Sequence, residues 1–590
     1  MGTPNSSRRS RLDAETVLLW VVIITVVLVV GTVTGAVHLG SMLARDGQRL
    51  PANPFELVLG LLTHRVAWPP AATWVLAGIG AVLVALAIVV VRAVLRRRAR
   101  RSRVDVAARH MARGRDLRAL SLRGATATAE RLGVAGSPGV PVGKTVLGGQ
   151  MLYGSWEDMH IDIWGPRTGK TTSRAIPAIL EVPGAVLVTS NKRDIVDCTR
   201  DVRAKEGPVW VFDPQAVALE EPAWWWNPLS YVTDEVRAAR LADHFAAGSR
   251  GPDARTDAYF DPAGQDLLAG LLLAAALDRR PITQVHTWLT RPADDTAVDI
   301  LRDHGYAESA NAVAGIVNAP EKQRGGVYGT ALQMASCLTN RQVAQWVTPN
   351  GEADGRPQFD PGAFVASKGT LYSLSKEGKG TAGSLVTALT VAVVEAAEEL
   401  AVHSPGGRLA TPMVGVLDEA ANVCRWRELP NLYSHYGSRG IVLMTILQSW
   451  SQGVEVWGRD GMRKLWSAAN IKVYGGGVAE AEYLNELAQL IGDYRYSNTT
   501  RNRSRQGGTS YSHDDRKERT LDVADLAALP RGRAVMFASG APAALLKTVP
   551  WKDGPHAAAV AASAAAHDPA NKQAAASSEN RQVAAGASDG

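Results

Sequence analysis

Two runs of the chain are apolar without interruption. Residues 17–37 and 71–91 each cover 21 positions with no charged side chain. At about 1.5 Å rise per residue, each can cross a hydrocarbon core of about 30 Å. The pattern predicts transmembrane helices over 17–43 and 71–95, joined by a short loop at 44–70. Beyond residue 144 the pattern changes. Short β-rich runs at 161–164, 185–189, 208–212, 369–374, 413–417, 441–446 and 471–474 alternate with helical stretches, notably 170–181, 381–402 and 478–491. Such alternation predicts an α/β fold with a mostly parallel sheet covered by helices on both faces. From 231 to 349 strand patterns stop. Helical periods such as QDLLAGLLLAAALDRR at 265–280 indicate an all-α insertion. The α/β domain is therefore read in two parts, 145–230 and 350–555.

The flanks read differently. Residues 96–144 are rich in Arg, Ala and Gly and close on the turn-prone GSPGVPVGK, so they read as a basic linker. Residues 556–590 are dominated by Ala, Ser, Asn and Gln. They bury too little apolar surface to offset their ordering entropy, and a disordered tail is expected.

Charge sharpens the membrane reading. Of the net +7, a local +9 comes from residues 92–118, with eleven arginines and two aspartates. The remainder is slightly acidic, so the body of the protein is not a basic glove for nucleic acid. Arg8, Arg9 and Arg11 precede the first span and the arginine cluster follows the second. The loop between carries only Arg45, Arg49 and Arg65 as cations. The positive-inside rule places both termini, including the tail 1–16, in the cytoplasm. That makes the expected location the cytoplasmic (inner) membrane, with the arginines acting as topology and headgroup anchors. The three cysteines, Cys198, Cys337 and Cys424, are far apart and match neither a zinc nor a disulfide spacing.

The chemistry is carried first by 161–180, read as strand, loop and helix. Its loop, WGPRTGKT, spans 164–171. Gly165, Pro166, Arg167, Thr168, Gly169, Lys170, Thr171 and Thr172 would form a phosphate cradle for ATP. Gly169 lets successive N–H groups converge, and Lys170 reaches the β- and γ-phosphates. The Thr171 hydroxyl would bind Mg²⁺. The usual first glycine of such a loop is Trp164 here, with Gly165 one place later. Pro177 should bend or shorten the helix.

A second apolar run, MVGVL at 413–417, ends in Asp418 and Glu419. Asp418 would hold the Mg²⁺ shell, and Glu419 would orient and polarise an attacking water. The next strand ends at Gln448, a candidate sensor of the γ-phosphate. Arg439, just before that strand, is a candidate arginine finger acting across a subunit boundary.

The motif order has a further implication. The P-loop is followed by SNKRD (190–194), VWVFDPQ (209–215), WWWNPL (224–229), the helical insert, GTLYSLS (369–375), VLDEAAN (416–422), SRGI (438–441) and LQSWSQ (447–452). This succession resembles the type IV coupling proteins of conjugation, the TraG/TraD-like DNA-transfer ATPases, over about residues 17–550. The resemblance implies a RecA-like P-loop NTPase with an all-α insertion, assembled as a homohexamer on the cytoplasmic membrane. It implies ATP hydrolysis that drives single-stranded DNA, often with a bound relaxase, toward a type IV secretion channel. Ser190–Asn191 departs from relatives that often have an acidic residue there.

Direct signs of DNA contact are few. Residues 495–519 carry seven basic and three acidic side chains with Tyr496 and Tyr511 between them. They could grip a phosphate backbone and stack bases, or form a solvated surface loop. WWWNPL is expected to pack rather than stack on bases. Two alternatives stay open. One is an FtsK-like double-stranded DNA pump, although that family usually has a longer membrane region and a C-terminal DNA-reading domain. The other is a coupling receptor for protein effectors.

Overall fold

The computed structural model describes residues 14–45, 47, 49–99, 102–249, 257–351, 353–377, 381–503 and 509–571. Two compact units emerge, Met1–Arg101 and Ser102–Gly590.

In the first unit the two apolar runs lie in helices Ala14–Ala44 and Pro70–Ala99, with a short helix Pro54–Leu62 between them. Gly40 lies so near Ala72 that a Cβ there would stand 2.6 Å from the Ala72 Cα. Small residues of this kind allow helices to approach closely. Val27, Trp74 and Val82 are each at least 60% exposed. By length and composition, the segment Thr25–Ala44 can cross a membrane, whereas the apolar part Pro70–Leu86 is shorter. Phe260–Leu277 also passes that test, but it is a core helix of the second unit in which Leu267, Leu268, Leu271 and Leu272 are buried.

The second unit is built on β1 (Val140–Thr145), β2 (Met151–Gly154), β3 (His160–Ile163), β4 (Val186–Ser190), β5 (Val209–Phe212), β6 (Thr370–Leu374), β7 (Met413–Leu417), β8 (Ile441–Leu447), β9 (Ile471–Tyr474), β10 (Asp493–Arg503), β11 (Thr509–Arg519), β12 (Arg533–Ala538) and β13 (Ala544–Lys547). Eleven of them form one sheet in the order β2-β1-β13-β12-β9-β3-β8-β7-β4-β6-β5. The seven strands from β9 to β5 are parallel; the other four extend the sheet antiparallel beyond β9. Every residue of β4, β6, β7 and β8 is buried. Strands covered on both faces read as continuous apolar runs, which is why the parallel part was legible.

Two flanking segments differ from expectation. The stretch 96–144, read as a linker, is folded from Ser102 onward. Ser102 caps helix Arg103–Ala107 by accepting from Asp105 N at 3.2 Å, and Asp105 pairs with Arg533 at 2.6 Å. A helix Leu122–Arg131 follows, and the turn-prone run feeds β1. Likewise, the tail beyond 556 begins with a helix, Ala557–His567. Its Val560 is buried and its Ser563 donates to Asp197 O at 2.6 Å. Residues 572–590 lie outside the described residues.

Between β5 and β6 the described chain is helical, with seven α-helices from Glu235–Ser249 to Arg341–Val347. An aromatic knot closes its base: Trp224 meets Trp346 edge-on at 5.7 Å and Trp210 at 5.3 Å. The neighbouring motifs are structural. Asp213 accepts from the backbone of Val217, Ala218 and Glu220, and Asn227 caps the turn at Leu229. β10 and β11 pair as a separate hairpin, from Asp493↔Arg519 to Arg503↔Thr509. It contains most of the arginine- and tyrosine-bearing segment 495–519; the side chains of 496–515 lie outside the described residues.

Candidate nucleotide site

The loop that follows β3 starts at Gly165. Trp164, in the place of the usual first glycine, belongs to the sheet. It is fully buried, its N–H donates to Leu447 O at 3.0 Å, and its ring covers Gly475. Gly165 then passes so close to Gly477 that a Cβ would collide with the Gly477 carbonyl. Its N–H donates to Gly476 O at 2.9 Å. The glycine run at 475–477, beyond β9, is thus the second wall of the cradle. That run was visible in the sequence, but its pairing partner was not.

Arg167 and Gly169 adopt φ 59° and 97° and turn the loop back over the helix start. A positive φ is strained for a side-chain-bearing residue and free for glycine. Thr168 donates to Gly165 O at 2.6 Å, and Thr172 to Gly169 O at 3.1 Å, tying the arc to itself. Lys170 caps the helix and Thr171 opens it. The first turn, Thr171–Ala175, is π-helical, with Ile176 N–H donating to Thr171 O. Pro177 accounts for it: a proline has no N–H and clashes with the carbonyl four residues back, and a wider turn relieves both constraints. The bend expected at Pro177 is therefore placed in the phosphate-loop turn itself.

Lys170 Nζ reaches both carboxylates. It lies 3.2 Å from Asp418 Oδ1 and hydrogen-bonds Glu419 Oε1, 249 positions along the chain. Asp418 and Glu419 are 2% and 1% exposed. Burial works against the Lys170 charge, but Asp418 and Glu419 outweigh it and raise the ammonium's pKa. Two carboxylates around one ammonium leave one negative charge uncompensated. Burial, with Glu419 adding and Lys170 opposing, pushes Asp418 up to about 6. Glu419 sits in the left-handed region at φ 55° and ψ 40°. For a non-glycine residue that is a held strain, of the kind found at functional sites.

Gln448, at the end of β8, donates its amide to both Glu419 oxygens at 2.8 Å. β8 lies between β3 and β7, so one strand separates the lysine from the acids and supplies the amide between them. Asn422 adds a weaker contact to Glu419 Oε2 at 3.3 Å and reaches Glu377 at 2.9 Å. Asn191, beyond β4, also donates to Glu377, at 2.5 Å. Asn422 and Glu377 were given no role from the sequence, although Asn422 lies one helical turn past Glu419, and Asn191 stood out only as a departure from the family pattern. Arg439 is not brought to this site. It caps the helix Leu429–Ser438 at the opposite end of β8 and pairs with Glu398 at 3.0 Å and His435 at 2.7 Å.

The fit to Mg²⁺ and nucleotide rests on the donor set. Asp418 Oδ1 is buried, and beyond the Lys170 ammonium at 3.2 Å it has no hydrogen-bond partner among the described residues. Magnesium is ordinarily held by one or two carboxylates and substrate phosphates, often with a loop hydroxyl. Asp418 and Thr171 meet that demand, the carboxylate beside the Lys170 ammonium and the hydroxyl at the start of the helix that leaves the loop.

A phosphate cradle, an ammonium and paired carboxylates at the C-terminal ends of two parallel strands, with one strand between them, define a P-loop nucleotide-binding fold. Residues 412–531 match the family model described as the TraM recognition site of TraD and TraG. With the motif order of the sequence, this supports a likeness to the type IV coupling protein family. Among solved structures, the bacterial conjugative coupling protein TrwB lacking its first 70 residues, in complex with sulphate, is similar. The TM-score is 0.51 at 16% identity, over 72% of this chain and 92% of that one. Fainter likenesses are TrwB with a non-hydrolysable ATP analogue, at TM-score 0.48 and 17% identity over 67% of this chain and 85% of that one, and VirB4 of Thermoanaerobacter pseudethanolicus, at 0.39 and 12% over 72% and 98%. No curated protein matches.

Proposed function

We propose that this chain is a membrane-anchored ATPase that drives single-stranded DNA, alone or with a bound relaxase, into a type IV secretion channel. The observation that carries the reading is the meeting of Lys170 with Asp418 and Glu419 beneath the glycine-bounded loop. Bound ATP would draw Lys170 from the carboxylates to its phosphates. Mg²⁺, held by Thr171 and Asp418, would neutralise charge on the transferred phosphoryl group. Glu419, freed of the ammonium and oriented by Gln448 and Asn422, would accept a proton from the attacking water. Gln448 bridges the strands of the loop and the base, so it is placed to report which phosphates are present.

Arg439 lies at the opposite end of β8 from its own Lys170, so it serves only the nucleotide of a neighbouring copy. That arrangement suits a homohexameric ring. The uncharged runs 17–37 and 71–91, with the arginines that flank them, support two spans and a cytoplasmic motor. The 412–531 match supports a protein partner of the transfer machinery.

The test is ATP turnover of residues 102–590 with and without single-stranded or duplex DNA. Stimulation by single strands supports the proposal. Stimulation by duplex alone favours a double-stranded DNA pump. Indifference to both, with binding of a protein cargo, favours an effector receptor.

A further inference from the structure

Behind the phosphate loop lies an ion pair that the proposed chemistry does not use. Arg174 and Asp162 are 1% and 0% exposed. Arg174 Nε and Nη2 donate to the two Asp162 oxygens at 3.2 and 3.0 Å. Arg174 Nη1 donates to Pro141 O at 2.5 Å, and Nη2 lies 3.3 Å from Nδ1 of the fully buried His160. Burial and the adjacent guanidinium push the His160 pKa well below its usual value. The imidazole is therefore neutral and accepts at Nδ1, which leaves its proton on Nε2. All seven atoms of this network belong to the two arms of the loop or to β1, which packs beside them.

The placement is specific. Asp162 is on β3, three residues before Gly165. Arg174 is one helical turn beyond Lys170, inside the π-helical turn. The loop between these arms must hold its N–H groups to within about 0.5 Å of the positions from which they reach phosphate oxygens. A π-turn lacks the regular hydrogen-bond ladder and would not fix the helix start by itself. A fully buried pair is weak evidence for stability, because an apolar pair of similar volume often serves as well or better. Its best-supported use is to select one geometry.

We infer that Arg174, held by Asp162 and His160, is a positioning residue that sets the span of the phosphate loop and so the placement of Lys170. It touches no nucleotide. It fixes the distance between the strand that enters the loop and the helix that leaves it. The inference rests on the nucleotide-site reading above.

The experiment uses the full chain in detergent and three variants: Arg174→Met/Asp162→Leu together, Arg174→Lys, and Lys170→Ala. Measured are the unfolding midpoint without nucleotide, the Kd for Mg-ATP by a fluorescent analogue, and kcat and KM for ATP. The apolar pair is expected to unfold at or above the parent's midpoint, yet to bind Mg-ATP about 100-fold more weakly, the usual cost of about 1 Å of misplacement. Arg174→Lys should recover part of that affinity, because one ammonium can hold one carboxylate oxygen. Parent-like Kd and KM in a folded apolar pair would overturn the inference. So would a loss of affinity only in proportion to a lowered midpoint. If the parent itself binds no nucleotide, like Lys170→Ala, the nucleotide-site reading fails instead.

Discussion

Three side chains hold one another in place at the residue scale: Lys170 on its loop, Glu419 in a strained conformation and Gln448 between them. Lys170→Ala should remove ATP hydrolysis, with a loss of at least about 100-fold in a phosphate-release assay. It should also lower the unfolding midpoint, because two buried carboxylates lose their counter-charge, a change of about 3 kcal/mol. Glu419→Gln should keep Mg-ATP binding and lose about 100-fold in kcat, the lower range for a general base. Equal losses in binding and turnover would move Glu419 from base to binder. Buried charge elsewhere titrates in a way that can be checked. His244, 4% exposed, has its pKa lowered from 6.5 to about 4 by burial, with Arg240 and Arg427 adding. Its unfolded form takes a proton first as pH falls. Stability from this group is therefore full above pH 6.5 and lost as pH falls toward 4, on the order of 3 kcal/mol. Thermal unfolding across that window should show the slope, and His244→Leu should flatten it.

Elements were legible in proportion to how completely they are buried. The seven parallel strands are mostly apolar runs, interrupted by His160 and Asp162 on β3 and Lys472 on β9, and their ends agree with the sequence reading within about a residue. The four antiparallel strands escaped notice for a physical reason. β1 reads VPVGKT, with a proline, a glycine and an exposed lysine, and β2 has only four residues with alternating burial. Such strands look like loops until a partner is supplied. The same blindness turned residues 102–144 into part of a linker. At the site, Lys170, Asp418, Glu419 and Gln448 stood out because each ends or follows an apolar strand. Glu377, Asn422 and Arg174 did not, because their role is set by what another part of the chain brings to them. A fragment starting at Ser102 keeps the cap of its first helix and the Arg103 contacts to Asp522 and Asp525. One that starts after β1 would lose an interior sheet strand. It should unfold at a clearly lower temperature by circular dichroism, where the Ser102 start stays cooperative.

At the level of the whole molecule, Arg439 lies away from the nucleotide site of its own chain, paired with Glu398, and on the proposed reading it acts on the site of a neighbouring copy. Arg439→Ala should leave nucleotide affinity of the isolated chain unchanged and cut turnover only under conditions where copies associate. Turnover per chain that is independent of concentration, with parent-like activity in the variant, would remove Arg439 from catalysis. The helical insertion enters and leaves through β5 and β6, neighbours at the extreme edge of the sheet. Lys170, Gln448 and the two acids sit on β3, β8 and β7, two or more strands inward. On the proposed reading, the insertion can therefore be rewritten to suit a new passenger while the engine beneath it goes on burning the same fuel.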